Sequence, residues 1–511
     1  MDIYGEILRA IADGDIESND DLQKAKIKLC KKYGLVELPS NSDILDAVDS
    51  TSGVSRDDVV DVLRRKPSRT KSGVTVVAVM TSPAECPHGR CIMCPGGPSS
   101  DLPSPQSYTG KEPAALRGKR HDFDPRAQVE NRLEQYHSIG HSTDKIDLII
   151  MGGTFPARDI SYQRDFVKGC FDGLNGGISD SLESAQLKNE TSQNRCIGLT
   201  VETRPDICGE MELEHMLGLG VTRVELGVQT LNDDILKTID RGHGVEDTVA
   251  ATRSAKDFGL KVCYHMMPGL PGSTPKSDLE EFKQLFEDSR FKPDLLKIYP
   301  TLVIKDTKLY DMWKAGEYEP LTTPEAADLV ARMKAMVPPY VRIQRVQRDI
   351  PSPLVEAGVK NSNLRQYAKS ALEDMGGNCG CIRCREAGRS EEIDLYGLEL
   401  KLIKYNAQDG TEHFLELSSS KTVAAYARLR ISSVSPPTIR ELKVVGEMTP
   451  IGSDGRSLQH AGFGQRLVEE CESLALDAGY DIIRVTSGVG ARQYYRYLGY
   501  HLRKHHMFKD L

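Results

Sequence analysis

The stretch ECPHGRCIMCPGGP, residues 85–98, sets Cys86, Cys91 and Cys94 among prolines and glycines that carry neither a regular helix nor a strand. It is a loop, and its neighbours decide the fold. VTVVAVMTS (74–82) leads into it, and KIDLIIMGG (145–153), RCIGLTVET (195–203), VTRVELGVQT (221–230), LKVCYHMMPG (260–269) and DLLKIYPTLV (294–303) follow, separated by amphipathic stretches. Apolar strands alternating with helices form βα units around a parallel sheet buried on both faces. Six units, without an obvious seventh or eighth, predict an α/β chain whose larger part is an incomplete parallel (β/α)6 barrel.

Polar residues collect where these runs end, in GGTF (152–155), ETRP (202–205), GVQT (227–230) and PGLPG (268–272). Barrel enzymes place their sites at that end of the strands. The cysteine loop follows the first strand, with spacing C-x4-C-x2-C. Iron-sulfur clusters are normally held by four thiolates, so three from one loop leave an iron open to another ligand. A zinc knuckle completed by His88 or His121, or three buried structural cysteines, are the competing readings.

Residues 1–72 read as a small helical region, with apolar positions at Ile7, Leu8 and Ile11, then Leu22, Ala25, Ile27 and Leu29. The barrel occupies 73–355. A linker follows at 356–391, and its GGNCGCIRCREAG segment spaces Cys379, Cys381 and Cys384 as zinc ligands that need a fourth. Beyond it, 392–511 form a second α/β unit. LELKLIKYN, EHFLELSSS and VAAYARLRIS read as antiparallel strands, followed by IRELKVVGEM, one long helix and YDIIRVTSG.

A hydrophobic content of 39% and a charged content of 27% are ordinary for a soluble protein, and no apolar run is long enough to span a membrane. The N-terminal sequence lacks the pattern of a signal peptide, and the 12 cysteines are clustered, which points to metal ligands in a reducing, cytoplasmic setting. A net charge of -8 argues against wholesale polyanion binding. Local patches remain: Arg64, Arg65, Lys66, Arg69 and Lys71 in LRRKPSRTK, Arg342, Arg345 and Arg348 in RIQRVQR, and the run Lys360, Arg365 and Lys369.

In the C-terminal half, LQHAGFGQRLVEECESLALDAGYDIIRV (458–485) places Gln459, Gly462 and Gly464 at the start of a helix whose apolar face is Leu467, Val468, Cys471, Leu474 and Ala475. Glycines there expose backbone amides, and the helix dipole favours a pyrophosphate. The dinucleotide pattern G-x-G-x-x-G is absent. SGVGARQYYRYLGY (487–500) then places Tyr494 and Tyr495 after that helix, with Tyr497 and Tyr500 read as core.

The cysteine loop with GGT after the second strand resembles the radical S-adenosylmethionine (SAM) superfamily, although its commonest spacing is C-x3-C-x2-C. The resemblance implies a 4Fe-4S cluster on Cys86, Cys91 and Cys94. It also implies SAM held near Gly152, Gly153, Thr154, Glu202, Arg204, Gln229 and His265. The glycine-rich helix start resembles the acetyl-coenzyme A loop of the GNAT acetyltransferases. Together CPGGPSSDLPSPQSYTGKEP, STDKIDLIIMGGTFPARD, VELGVQTLNDDILKTIDRGH, YHMMPGLPGS and the C-terminal motifs are similar to the Elongator catalytic subunit family of tRNA uridine acetyltransferases, and the cysteine spacing to its archaeal and bacterial members.

That likeness implies that a 5′-deoxyadenosyl radical takes hydrogen from the methyl of acetyl-CoA and that the carbon radical adds to carbon 5 of the wobble uridine. It implies acetyl-CoA contacts at Lys145, Glu441, Leu442, Lys443, Val444, Gln459, Gly462, Phe463, Gly464, Gln465 and Tyr495, with Lys145, Tyr494 and Tyr495 as catalytic candidates. Zinc at the linker and the anticodon stem-loop of tRNA on Arg64 to Lys71 complete the expectation. The expected assembly is a homodimer or a self-sufficient monomer, with no accessory subunit evident. The rival reading is a protein lysine acetyltransferase with a structural iron-sulfur cluster.

Overall fold

A computed structural model describes residues 2–48, 51, 53–65, 70–389, 397–419, 422–446 and 462–511. Strands β1 (Thr75–Met80), β2 (Lys145–Met151), β3 (Arg195–Thr203), β4 (Arg223–Gln229), β5 (Lys261–Met266) and β6 (Leu295–Ile298) lie side by side in chain order, each pair parallel. After β6 the chain leaves the sheet for β7 (Val303–Ile304), and a seventh parallel strand, β8 (Arg342–Val346), then adds to the free edge of β6. β9 (Val355–Ala357) pairs back antiparallel onto β7. The sheet curls into a half-barrel. Its outer face, including Ile146, Leu148, Ile150, Val201, Val224, Leu226, Val262 and Tyr264, packs into the main core. Strand periodicity then turns Lys145, Asp147, Arg223, Glu225, Lys261, Cys263, His265 and Lys297 to the concave side.

The seventh strand corrects the count of six. RIQRVQR reads as a basic patch because its arginines interrupt the apolar run, but each is engaged by a partner and Arg342 is buried. Arg342 is 6% exposed and pairs with Glu386 at 2.7 Å, Arg345 pairs with Asp349 at 2.6 Å, and Arg348 donates to Ser107 O.

The second sheet runs β10 (Glu399–Ala407), β11 (Gly410–Ser418), β12 (Val423–Ser432), β13 (Ser435–Val444), β14 (Ile482–Val485), β16 (His506–Asp510) and β15 (His501–Arg503). Its first four strands form an antiparallel meander, while β13 and β14 are parallel and pair only through Thr438 with Arg484 and Ile439 with Val485. The helix Phe463–Asp477 covers one face, burying Leu467, Val468, Cys471 and Ala475 as its periodicity predicts.

The N-terminal helices have their own core of Ile7, Leu8, Ile11, Leu22, Leu29 and Ile44. Ser18 caps the helix Asn19–Tyr33 by accepting from Asp21 N at 3.2 Å, and Gly34 ends it in the left-handed region (φ 67°). One assignment reverses: Ile27 is exposed and Lys26 is buried, donating to Pro39 O at 2.8 Å and to the Asn41 side chain. Helical spacing explains it, since 22, 26, 29 and 30 share the inward face.

Buried ion pairs join the two sheets. From the half-barrel, Asp294 receives both Nη atoms of Arg440 at 2.6 and 2.7 Å and Lys256 stands 3.6 Å away. From the second sheet, Glu412 meets Arg440 at 2.8 Å and Arg430 at 3.2 Å, while Arg430 also reaches Asp257 at 2.6 Å.

Candidate functional site

The cysteine loop sits at the C-terminal mouth of the half-barrel. Gly89 N donates to Cys86 O at 3.0 Å and Cys94 N to Cys91 O at 3.0 Å, so two tight turns place the sulfurs. Cys91 and Cys94 are buried and Cys86 is half-buried. His88 Nε2 lies 3.1 Å from Cys91 Sγ, Gln106 Nε2 3.3 Å from Cys94 Sγ and Thr154 Oγ1 3.3 Å from Cys86 Sγ. Burial pushes the Cys91 thiol up, with the Arg241 guanidinium, 3.7 Å from the sulfur, opposing it. Burial, with Arg204 and Arg241 adding, takes His88 down to about 4, so its imidazole is neutral.

A single ion draws its ligand atoms together, whereas a cubane holds each thiolate on a different iron. The described residues contain two compact groups, with ligand atoms within 4.8 Å of one another: Cys379, Cys381 and Cys384, and Glu225, Cys263 and His265. Cys86, Cys91 and Cys94 are not so compact, and their sulfurs face hydrogen-bond donors. That donor set fits a cluster better than a zinc knuckle. The linker triad fits three corners of a tetrahedral zinc, and Cys381 is held well below the usual thiol range by hydrogen bonds from Cys379 and Cys384.

The residues expected around SAM ring the same mouth. A Cβ at Gly152 (φ 155°) would lie 1.9 Å from Thr81 Oγ1, and one at Gly153 (φ 82°) 3.0 Å from Gln106 O, so both positions require glycine. Glu202 is buried and accepts from Tyr108 Oη at 2.6 Å and from Gly152 N at 3.3 Å. Gln229 holds a left-handed backbone (φ 73°) at the end of β4, where its carbonyl accepts from Met267 N at 2.8 Å. Arg204, expected to face a ligand, is instead 1% exposed, forked onto Asp206 at 2.7 and 2.9 Å and donating to Arg241 O at 2.7 Å. His265 lies 2.9 Å from Glu225, which also binds Lys297. Burial alone would raise Glu225, but Lys297, with His265 and Arg223, holds it well below the usual carboxylate range.

Lys145 lies at the opposite end of β2 from Gly152, about 23 Å away at 3.3 Å per residue. Burial takes its amine down to about 8. At that end the second sheet approaches the half-barrel, with Lys443 close enough to Asp147 for their charges to act on one another. Residues Glu441, Leu442, Lys443 and Val444 run beside β12, beyond the Thr438 and Ile439 pairings of β13 with β14. Gly462 (φ 75°), Phe463 and Gly464 begin the helix, and the exposed Gln465 bonds Glu469 at 2.8 Å. A Cβ on Gly464 would meet Tyr494 Oη at 2.8 Å, which puts that hydroxyl at the helix start. Burial pushes Tyr494 up to about 12; Tyr495 is 6% exposed in the second core. Tyr500 is buried as expected, but Tyr497 is 82% exposed, on the outer side of its helix. Gln459 lies outside the described residues.

Of the basic stretch, Arg64 turns to Asp61 at 3.0 Å and Gly140 O at 3.1 Å, while Arg65 and Lys71 are exposed. Lys66 and Arg69 lie outside the described residues. The sequence reading missed an exposed row on the second helix, Lys24, Lys28, Lys31 and Lys32, whose three- and four-residue spacing was its signal. It also missed Gln106, Arg241, Glu225 and Lys297, which no local pattern marks.

Residues 83–286 match the radical SAM superfamily, 293–374 the radical SAM C-terminal domain and 1–71 the ELP3 N-terminal domain. The chain is 46% identical to the tRNA uridine(34) acetyltransferase of Methanocaldococcus jannaschii, over 98% of this chain and 97% of that protein. It is 48% identical to the protein so named in Dehalococcoides mccartyi, over 88% and 100%, and 41% identical to human Elongator complex protein 3, over 99% and 96%. Among solved structures, Methanocaldococcus infernus Elp3 with its N-terminus deleted superposes with a TM-score of 0.77 at 43% identity, covering 86% of this chain and 100% of that one.

Proposed function

The chain belongs to the family of tRNA uridine(34) acetyltransferases and Elongator complex protein 3, a family of transferases with a radical SAM domain, and from that premise we propose that it builds a carboxymethyl group on carbon 5 of the wobble uridine. The reading draws on acetyl-CoA for the two carbons. When bound, the cluster and SAM supply radical chemistry, which a methyl group and a pyrimidine carbon require because neither offers an acid-base route. Cys86, Cys91 and Cys94 would hold the cluster, and Gly152 and Gly153 would let SAM approach the backbone. Glu202, already an acceptor for Tyr108 and Gly152, would orient the ligand's donors.

The observation that carries the proposal is the two-ended half-barrel. The thiols occupy one mouth, the Glu441–Val444 edge and Lys145 approach the other, and a charged concave face joins them. Lys145 and the start of the helix Phe463–Asp477 would hold acetyl-CoA, and as water hydrolyses the thioester, leaving the carboxylate on the uridine, Tyr494 or Tyr495 would protonate the departing thiolate. In this proposal residues 1–72 hold the anticodon stem-loop, 73–355 carry the radical chemistry, 356–391 bind zinc and 392–511 bind acetyl-CoA. No described helix is long and apolar enough to cross a membrane, and the proposal places the enzyme in the cytoplasm.

The test is anaerobic incubation of reconstituted, reduced protein with SAM, acetyl-CoA and tRNA, then nucleoside mass spectrometry. A carboxymethyl-sized addition to uridine that needs both small molecules is expected, and Cys91→Ala should abolish it. Acetylation of peptides without SAM, unchanged in Cys91→Ala, would favour the lysine acetyltransferase instead.

A further inference from the structure

Cys86, Pro87, His88 and Gly89 form a turn closed by the 3.0 Å bond from Gly89 N to Cys86 O, with Gly89 in the left-handed region (φ 92°). The fourth residue between Cys86 and Cys91 makes room for it. His88 takes the third corner, and its imidazole folds back to 3.1 Å from Cys91 Sγ. The facing wall is Gly242 (φ 75°), where any Cβ would come within 2.8 Å of His88 Cβ. Glycine there is the space the imidazole occupies. Its neighbour Arg241 is 8% exposed, is anchored through Nη2 on Gly227 O and brings Nη1 to 3.7 Å from the same sulfur. Gln106 is 7% exposed and points Nε2 at Cys94 Sγ from 3.3 Å.

Three nitrogen donors from three separate segments thus converge on two sulfurs; among the described residues, Cys86 meets the Thr154 hydroxyl, and Cys94 also lies 3.6 Å from the Ser107 hydroxyl. An iron-bound thiolate has no proton, so each of these groups can only donate to it. His88 Nδ1 and Arg241 Nε are buried without a hydrogen-bond partner, so these side chains bear on the sulfurs through His88 Nε2 and Arg241 Nη1. Hydrogen bonds to cluster sulfurs and a fixed positive charge beside them stabilise the more negative, reduced state.

We propose that His88, Arg241 and Gln106 are positioning residues that raise the reduction potential of the cluster, so that a low-potential one-electron donor can reduce it. The proposal rests on Cys86, Cys91 and Cys94 being the cluster ligands. One electron enters the cluster from that donor, dithionite in the test, and no proton or bond is exchanged with the three side chains.

The test is a potentiometric titration of the full-length protein, loaded with four irons and followed by electron paramagnetic resonance without SAM. His88→Leu keeps bulk and removes the N–H. It should lower the midpoint enough to cut the reduced-to-oxidised ratio at fixed potential about tenfold, roughly 59 mV for one electron. Gln106→Met should act in the same direction, and His88→Gln, which restores an N–H, should return most of the shift. After exchange into heavy water, a deuteron coupling present in the wild type should be lost in His88→Leu.

Wild-type midpoints in both His88→Leu and Gln106→Met overturn the proposal, as does a His88→Gln shift as large as that of His88→Leu. Should His88→Leu fail to hold four irons, the Gln106→Met midpoint decides alone. Retention of the cluster in Cys91→Ala would instead break the ligand assignment, a result separate from any midpoint.

Discussion

Two cysteine triads in one chain differ in the spread of their sulfurs. Cys379, Cys381 and Cys384 converge within 4.8 Å, as ligands of one ion do, whereas Cys86, Cys91 and Cys94 stand apart beneath nitrogen donors. The difference predicts separable metals. With the linker triad holding zinc as proposed, Cys91→Ala should empty the protein of iron and leave zinc bound, and Cys381→Ala should do the reverse, with both metals measured on the same sample by mass spectrometry. Parallel loss of iron and zinc in either variant would contradict the separation. The two tyrosines also divide at this scale. Tyr494 presents its hydroxyl at the start of the helix Phe463–Asp477, while Tyr495 packs edge-on between Tyr494 and Tyr500 at 5.3 and 5.8 Å.

The helix that carries those tyrosines, Arg492–Tyr497, is tied to the radical half through one carboxylate. Glu190, 1% exposed, accepts from Gln493 at 3.1 Å and pairs with Arg492 at 3.4 Å and with Arg496. Upstream, a Cβ on Gly488 would meet Ile197 O at 2.1 Å and one on Gly490 would meet Arg195 at 2.5 Å, so this segment lies flat on β3. Glu190→Gln should leave the buried Arg492 without a counter-charge, at a cost of about 3–5 kcal/mol in unfolding free energy, and release the half-buried Arg496. It should slow acetyl-CoA turnover while SAM cleavage stays near wild type; equal losses in both reactions would mean that Glu190 only supports the fold. Strands β1 to β6 were legible in sequence because their outer faces pack into the main core and each reads as a largely apolar, β-branched run. β8 was not, because its arginines interrupt the apolar run and the buried Arg342 answers to Glu386, far along the chain, which no local pattern reveals. The thiols, the glycines and the helix start were legible for a related reason, since each motif is local. Arg241 reaches Cys91 across 150 positions, so only chain closure brings it to the site.

For the molecule as a whole, charge decides how the halves stay together and how RNA is held. At the junction, burial would raise Asp294 and Glu412, but Arg440 and Lys256 win, holding Asp294 well below the usual range and Glu412 at about 2. Both carboxyls titrate lower folded than unfolded, so their contribution is complete above about pH 4.5 and is lost as pH falls toward 2. Urea midpoints should drop between pH 5 and pH 3. Asp294→Asn should lower stability by about 3–5 kcal/mol at neutral pH and flatten that acid limb; an unaltered acid limb would assign it to other carboxylates.

RNA sees a chain of net charge -8 and must be drawn by a local field. Lys24, Lys28, Lys31, Arg65 and Lys71 are exposed in the N-terminal region, and burial lowers the pKa of Lys26 with nearby Arg65 adding to it. If these five cations each neutralise one phosphate, the logarithm of affinity falls by about 0.7–0.9 per contact for each decade of salt. Raising salt from about 50 to 200 mM should therefore weaken binding of an anticodon stem-loop by roughly 100- to 500-fold, read by fluorescence anisotropy. Replacing Lys24, Lys28 and Lys31 with glutamate should remove about three contacts from that slope. A slope unchanged by the triple variant would move the RNA to another face, because a cation that touches no phosphate releases no counterion.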